Sequence, residues 1–287
     1  MIAVLKHELR IYFHTFSTWL FIAFLLAFVG VGAMLYNIRS AVANFEFVLE
    51  FVCIGLVVII PVLTMRVLSE EKKQKTDQLL YSLPVSMTDV IIGKYLAILV
   101  ILLIPTAIIA LYPLIFAEFG EVYLPTSYGS IAAFFIMSAA LAALGVFISS
   151  LTENQGLAAS ITIVLLLLNY FSVRLSNYVS STAAGSIIAL SLVVILLAVL
   201  IYVLTKSGGF ALIFAVVGIG AILAVSFIDS SIYEGLFTTL VSKLSFFERF
   251  SGFVNGVFDI GSIVFYLTAI VFFLFLSVQS MEKRRYN

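Results

Sequence analysis

The chain has 287 residues, of which 63% are hydrophobic and 10% charged; its formal net charge is zero and its mean hydropathy is +1.23. A soluble domain carries about 25% charged residues, so this composition excludes a water-soluble fold, and the balanced charge implies no nucleic-acid partner. Cys53 is the single cysteine and lies in an apolar run, which excludes a disulfide within one chain.

In lipid every backbone polar group must be satisfied within the protein, which leaves helices or a closed barrel. Barrels read as alternating segments of about 10 residues, whereas this sequence has long unbroken apolar runs. The expected fold is therefore all-α: a polytopic transmembrane helical bundle forming one transmembrane domain over 1–287.

Residues 1–16 come first. Ile2, Leu5, Leu9, Tyr12, Phe13 and Phe16 fall on one helical face, with Lys6, Arg10 and His14 beside them and Glu8 between. This predicts a helix lying in the head-group layer, in contact with membrane lipid. The apolar run that follows has full span length and no small-residue cleavage pattern, so no cleavable signal is expected. A span needs about 20 apolar residues. Eight segments qualify: 19–36, 47–65, 95–117, 131–151, 157–173, 187–204, 210–228 and 260–278. Six is the alternative count. With the N-terminus inside, eleven of the 15 Lys and Arg residues fall on one side. That bias predicts an inner-membrane protein with both termini cytoplasmic.

Between spans two and three lies the one long polar run, 66–94. Good helix formers predict a short helix over 70–82, edged by Leu79, Leu80 and Leu83, and Pro84 ends it. Ser86 and Asp89 form a capping-box-like start for a second helix that runs into span three. The segment 229–259 shows apolar residues at helical spacing and predicts an amphipathic helix at the outer leaflet, broken by Gly252 and Gly256.

Catalytic motifs are missing. Gly93-Lys94 lacks the upstream glycine and the following hydroxyl of a phosphate loop, so ATP is not expected on this chain. There is no Gly-x-Ser-x-Gly elbow. Two histidines near the N-terminus and one cysteine make a protein-supplied zinc site unexpected. No cofactor and no enzymatic activity are expected of the chain itself. The deep parts of the spans hold almost no ionisable residues, which argues against an ion relay and favours an amphipathic or lipid-like cargo, or a hydrophobic peptide, over a bare ion.

The run from Arg66 through Glu70-Glu71, Lys75-Thr76, Leu79-Leu80 and Pro84-Val85-Ser86 to Gly93-Lys94-Tyr95 resembles the first cytoplasmic loop of ABC-2 type permeases. The glycine frequent before the threonine is missing. Ser245 to Phe250, Gly256, Asp259 and the last span with Glu282 to Arg285 resemble the C-terminal region of the same family, nearest its gliding-motility and nitrous-oxide-accessory branch. The resemblance implies a membrane subunit paired with a second permease subunit, as homo- or heterodimer. It also implies a separate ABC ATPase subunit that holds ATP and Mg, with export as the expected direction. Glu70, Glu71, Lys75, Thr76, Leu79, Leu80, Leu83 and Pro84 would then meet that ATPase. Many relatives have six spans; the extra pair here would be 187–204 and 210–228. An ATP-independent carrier, or a membrane assembly or immunity component, is the alternative. A neighbouring ATPase gene would separate the two.

Overall fold

The computed structural model describes residues 1–40, 42–75, 86–179, 182–205 and 208–286. Among these no strand occurs, and the chain is an all-α multi-pass membrane protein. Among the described residues six helical stretches are long and apolar enough to cross a membrane: Phe16–Arg39, Glu46–Gln74, Met87–Ala117, Leu124–Leu151, Gln155–Ser176 and Ile260–Arg284. The chain divides into two compact units, Met1–Tyr170 with Arg249–Asn287, and Phe171–Glu248.

In the first unit, α1 (Ile2–His14) ends at Thr15, whose backbone turns extended, and α2 (Phe16–Ala33) follows. A π-helical turn, Met34–Arg39, closes that span. Next come α3 (Glu46–Thr64), the short α4 (Ser69–Gln74), α5 (Met87–Ile109), α6 (Tyr112–Ala117), α7 (Leu124–Leu151) and α8 (Gln155–Ser176), whose residues 171–176 belong to the second unit. The final span is α13 (Ile260–Tyr286). Helices α3 and α7 form the centre. Val48, Val52, Leu56 and Ile60 of α3 recur every four residues and are fully buried, as are Met137, Leu141 and Val146 of α7. Helix α7 packs on α3, α5 and α13, and α2 packs on α3. Small residues let these backbones approach. A Cβ on Gly145 would lie 2.1 Å from Thr64 Oγ1, so only glycine fits where α7 crosses α3.

The second unit holds α9 (Ala183–Thr205), α10 (Gly208–Ile228) and α11 (Leu236–Leu244). Helices α9 and α10 stand where the sixth and seventh apolar segments are predicted, and they pack on each other. Within the described residues they contribute the shorter apolar stretches Ala183–Leu196 and Leu212–Phe227. Buried Tyr233 donates to the Ile222 carbonyl at 2.9 Å and ties the turn after α10 back onto it.

Two local expectations are corrected. The helix expected over 70–82 stops at Gln74, because Lys75 adopts a left-handed backbone, φ 55°, that no right-handed helix accommodates. Of the two expected break points, Gly256 holds: it lies just past α12 (Phe246–Val254) with φ 77°; Gly252 does not, since it lies inside α12. A further break falls at Ser245, whose Oγ accepts from Glu248 N at 3.2 Å and starts a new helix.

Candidate functional site

The site is built around α4, the short helix at the start of the polar run. Glu70 and Glu71 occupy its first turn and Lys72 and Lys73 its last, as the helix dipole favours. Lys75 closes it by donating its backbone N–H to the Lys72 carbonyl at 3.2 Å. Six residues do not hold a helix in isolation, so its neighbours fix it, and they do so on two sides.

The first anchor is Lys94. Helix α5 begins at Ser86, which accepts from Asp89 N at 3.1 Å and donates to the Asp89 carboxylate at 2.8 Å. Two turns later Lys94 Nζ lies 2.6 Å from Glu8 Oε1 of α1 and 2.8 Å from Glu71 Oε1 of α4. The Lys94 side chain is 4% exposed, Glu8 11% and Glu71 25%. The neighbouring Gly93 makes the contact possible. A Cβ there would lie 3.1 Å from the Met1 carbonyl and from Val4 Cβ, so its absence lets α1 lie against α5. A buried ion pair adds little net stability, but removing one partner is costly. The cluster therefore fixes geometry: it holds α1, α4 and α5 in one arrangement. Beside it, Tyr12 keeps its proton, because desolvation and, secondarily, the charge of Glu8 raise its phenol well above the ordinary value, against the influence of Arg66.

The second anchor is the end of α7. Ser149 Oγ accepts from the backbone N–H groups of Leu68 and Ser69, both at 3.1 Å, and donates to the Met65 carbonyl at 3.2 Å. It thus caps α4 from a position far away in sequence, satisfying N–H groups that a helix start leaves open. Lys72 is buried and its ammonium donates to the Ser150 carbonyl. Ser280 of α13 donates to the same carbonyl at 3.0 Å. Two residues beyond α7, Glu153 pairs with Arg284 at 2.6 Å.

The residues singled out from sequence are thereby placed. Glu71 faces inward to Lys94. Glu70 is half-buried and accepts from Gln74 Nε2 at 3.3 Å; Lys75 is exposed. Lys6 and Arg10 are exposed on α1, whereas Glu8 is the buried residue of that helix. Thr76, Leu79, Leu80, Leu83 and Pro84 lie outside the described residues. Lys72, Ser149 and Ser150 were not expected in this role. A cleft of about 710 Å³ opens between α1, the ends of α2 and α3, and α4, lined among others by His7, Tyr12, Thr18, Arg66, Glu70 and Gln74. Among the described residues no group of three or more His, Cys, Asp or Glu side chains comes together as metal ligands would.

The arrangement suits the transmission of force, since a short charged helix at the end of the stretch Glu46–Gln74 is held to α1 and to the ends of the spans α5, α7 and α13. Residues 32–178 match the family model described as ABC-2 family transporter protein. This stretch runs from the end of α2 through α3, α4, α5 and α7 to the turn after α8, and it includes both anchors of α4 except Glu8 and Ser280. No curated protein and no solved structure matches the chain.

Proposed function

We propose that this chain, which belongs to the ABC-2 transporter family, is the permease subunit of an exporter driven by a separate ATPase that docks on the segment 66–94. In this reading ATP and Mg bind on the ATPase, a second permease subunit completes the pathway, and both termini lie in the cytoplasm of an inner-membrane protein. In this reading the chain falls in the gliding-motility and nitrous-oxide-accessory branch.

The observation that supports this reading is the double anchoring of α4. A push on a flexible loop is absorbed by the loop. A push on α4 is delivered to α1 and α5 through Lys94, and to α7 and α13 through Ser149, Ser150 and Lys72. These helices include α7, one of the packed pair at the centre of the first unit. An ATPase that closes on ATP would thus move span ends together.

The test separates docking from anchoring. Glu71→Lys would place a second ammonium against Lys94, so it disturbs the anchor as well as any partner contact. Lys73 is exposed, so Lys73→Glu changes only the outer surface, by no more than about 1 kcal/mol. Leu80→Asp removes the apolar edge without touching a span. Recovery of an ATPase complex and its hydrolysis rate are measured for the wild type and these variants. Leu80→Asp is expected to lose both while still inserting in the membrane. Wild-type behaviour of Leu80→Asp in both assays would place the partner elsewhere.

A further inference from the structure

We propose that the cleft between α1 and α4 binds a phosphatidylethanolamine head group, with the phosphodiester at Arg66 and the ammonium at Glu70. The inference rests on the chain lying in a membrane and not on the ATPase reading.

The cleft sits at head-group depth. The outer side of α1 exposes Ile2, Ile11 and Phe13, and Phe16 follows at the start of α2. Trp19, 51% exposed, donates its indole N–H to the Phe13 carbonyl at 3.0 Å. Aromatic side chains of this kind mark the membrane–water boundary. The cleft wall is mixed. Exposed Ile11 and Val62 offer an apolar path for an acyl chain, and Arg66, Glu70, His7 and Gln74 offer polar groups.

Two charges decide the occupant. Glu70 N donates to the Arg66 carbonyl at 3.3 Å, so the two residues stand one helical turn apart. Opposite charges at that spacing ordinarily pair. Here they do not: among the described residues no acidic partner lies within ion-pair distance of Arg66, and Glu70 accepts only from Gln74. An anion and a cation thus both line one partly enclosed cleft. A zwitterion satisfies both. A phosphodiester accepts a two-pronged guanidinium bond, and a primary ammonium donates to a carboxylate. Phosphatidylcholine has no N–H to give Glu70, and phosphatidylglycerol brings it no cation. The volume of about 710 Å³ falls within the range of small-molecule sites.

The experiment offers the purified chain an equimolar mixture of phosphatidylethanolamine, phosphatidylcholine and phosphatidylglycerol with identical acyl chains, and reads retained lipid by native mass spectrometry. One phosphatidylethanolamine should be retained about fivefold over either competitor, the ratio that one partly exposed ion pair supplies. Arg66→Gln should abolish retention, and Glu70→Gln should retain phosphatidylethanolamine and phosphatidylglycerol equally. Thermal melting of both variants checks their folding, and if Arg66→Gln does not fold, the isosteric Glu70→Gln decides alone. Equal retention of the three lipids by the wild type, or an unchanged preference in Glu70→Gln, overturns the assignment.

Discussion

Replacing Lys94 with Met removes the ammonium that joins Glu8 and Glu71 and leaves a side chain of similar length. Both carboxylates then lose a partner at 2.6 and 2.8 Å. Breaking a buried pair from one side costs about 3–5 kcal/mol. The lower end applies here, because Glu71 is 25% exposed and can turn to water. Glu8 is 11% exposed and reaches water only if α1 lifts away from Gly93. A loss of about 3 kcal/mol raises the population of lifted α1 by roughly a hundredfold, while the packed pair α3–α7 stays intact. The assay is the alkylation rate of a cysteine placed at half-buried Val4, in a Cys53→Ala background that has no other thiol. Lys94→Met should speed alkylation about a hundredfold with little change in melting temperature. Adding Glu8→Leu should restore most of the protection, since an apolar pair costs no desolvated charge. An unchanged rate in Lys94→Met, or a double variant no better than the single, would refute the claim that this ion pair holds α1.

Gly145→Ala should lower the melting temperature, because its methyl group meets Thr64 Oγ1 at 2.1 Å and overpacking costs about 1–3 kcal/mol; Thr64→Ala in the same chain should recover part of the loss. Ser149→Ala strips the acceptor from the Leu68 and Ser69 N–H groups and should cost about 1–3 kcal/mol, seen in a melt and as faster proteolysis next to α4. Lys75→Gly should be neutral or stabilising by up to about 1 kcal/mol, and Lys75→Val destabilising, since Lys75 holds φ 55°. Asp259 caps α13 through Gly261 N and Ser262, and these hydrogen bonds hold its carboxyl below the ordinary aspartate value. The cap's contribution is therefore present above the ordinary value and lost as pH falls through the lowered one. Asp259→Ala should flatten the acid limb of a melting-temperature profile.

What could be read from the sequence was local. The Ser86–Asp89 cap was visible because both partners lie within one turn. The spans were visible because apolar runs report the solvent directly. Ser245 and Glu248 carry the same signature as Ser86 and Asp89, and the break between α11 and α12 could have been placed from it; of the two glycines read as breakers, Gly256 does end α12 with φ 77°, whereas Gly252 lies inside it. The early stop of α4 was hidden because the left-handed residue is lysine, not glycine. The anchors were hidden for another reason. Lys94 and Glu8 are separated by 86 positions, and nothing in either neighbourhood says that a glutamate on an amphipathic helix faces inward. Gly93-Lys94 stood out as a pair, but its meaning, a gap for α1 beside a charge for Glu8, is a fact of packing. Ser149 and Ser150 resemble any hydroxyls at a span end until the backbone they cap is brought to them.

Docking of a separate ATPase on 66–94, driving the spans through α4, is tested most directly by photo-crosslinking. A crosslinking residue is placed at Lys73 and, separately, at Leu80 in native membranes, with highly exposed Phe119, beyond α6, as the control. Lys73 and Leu80 should each crosslink to a protein with a phosphate-binding loop, and Phe119 should not. Crosslinks from all three positions to lipid alone, in membranes where transport is intact, would contradict this docking.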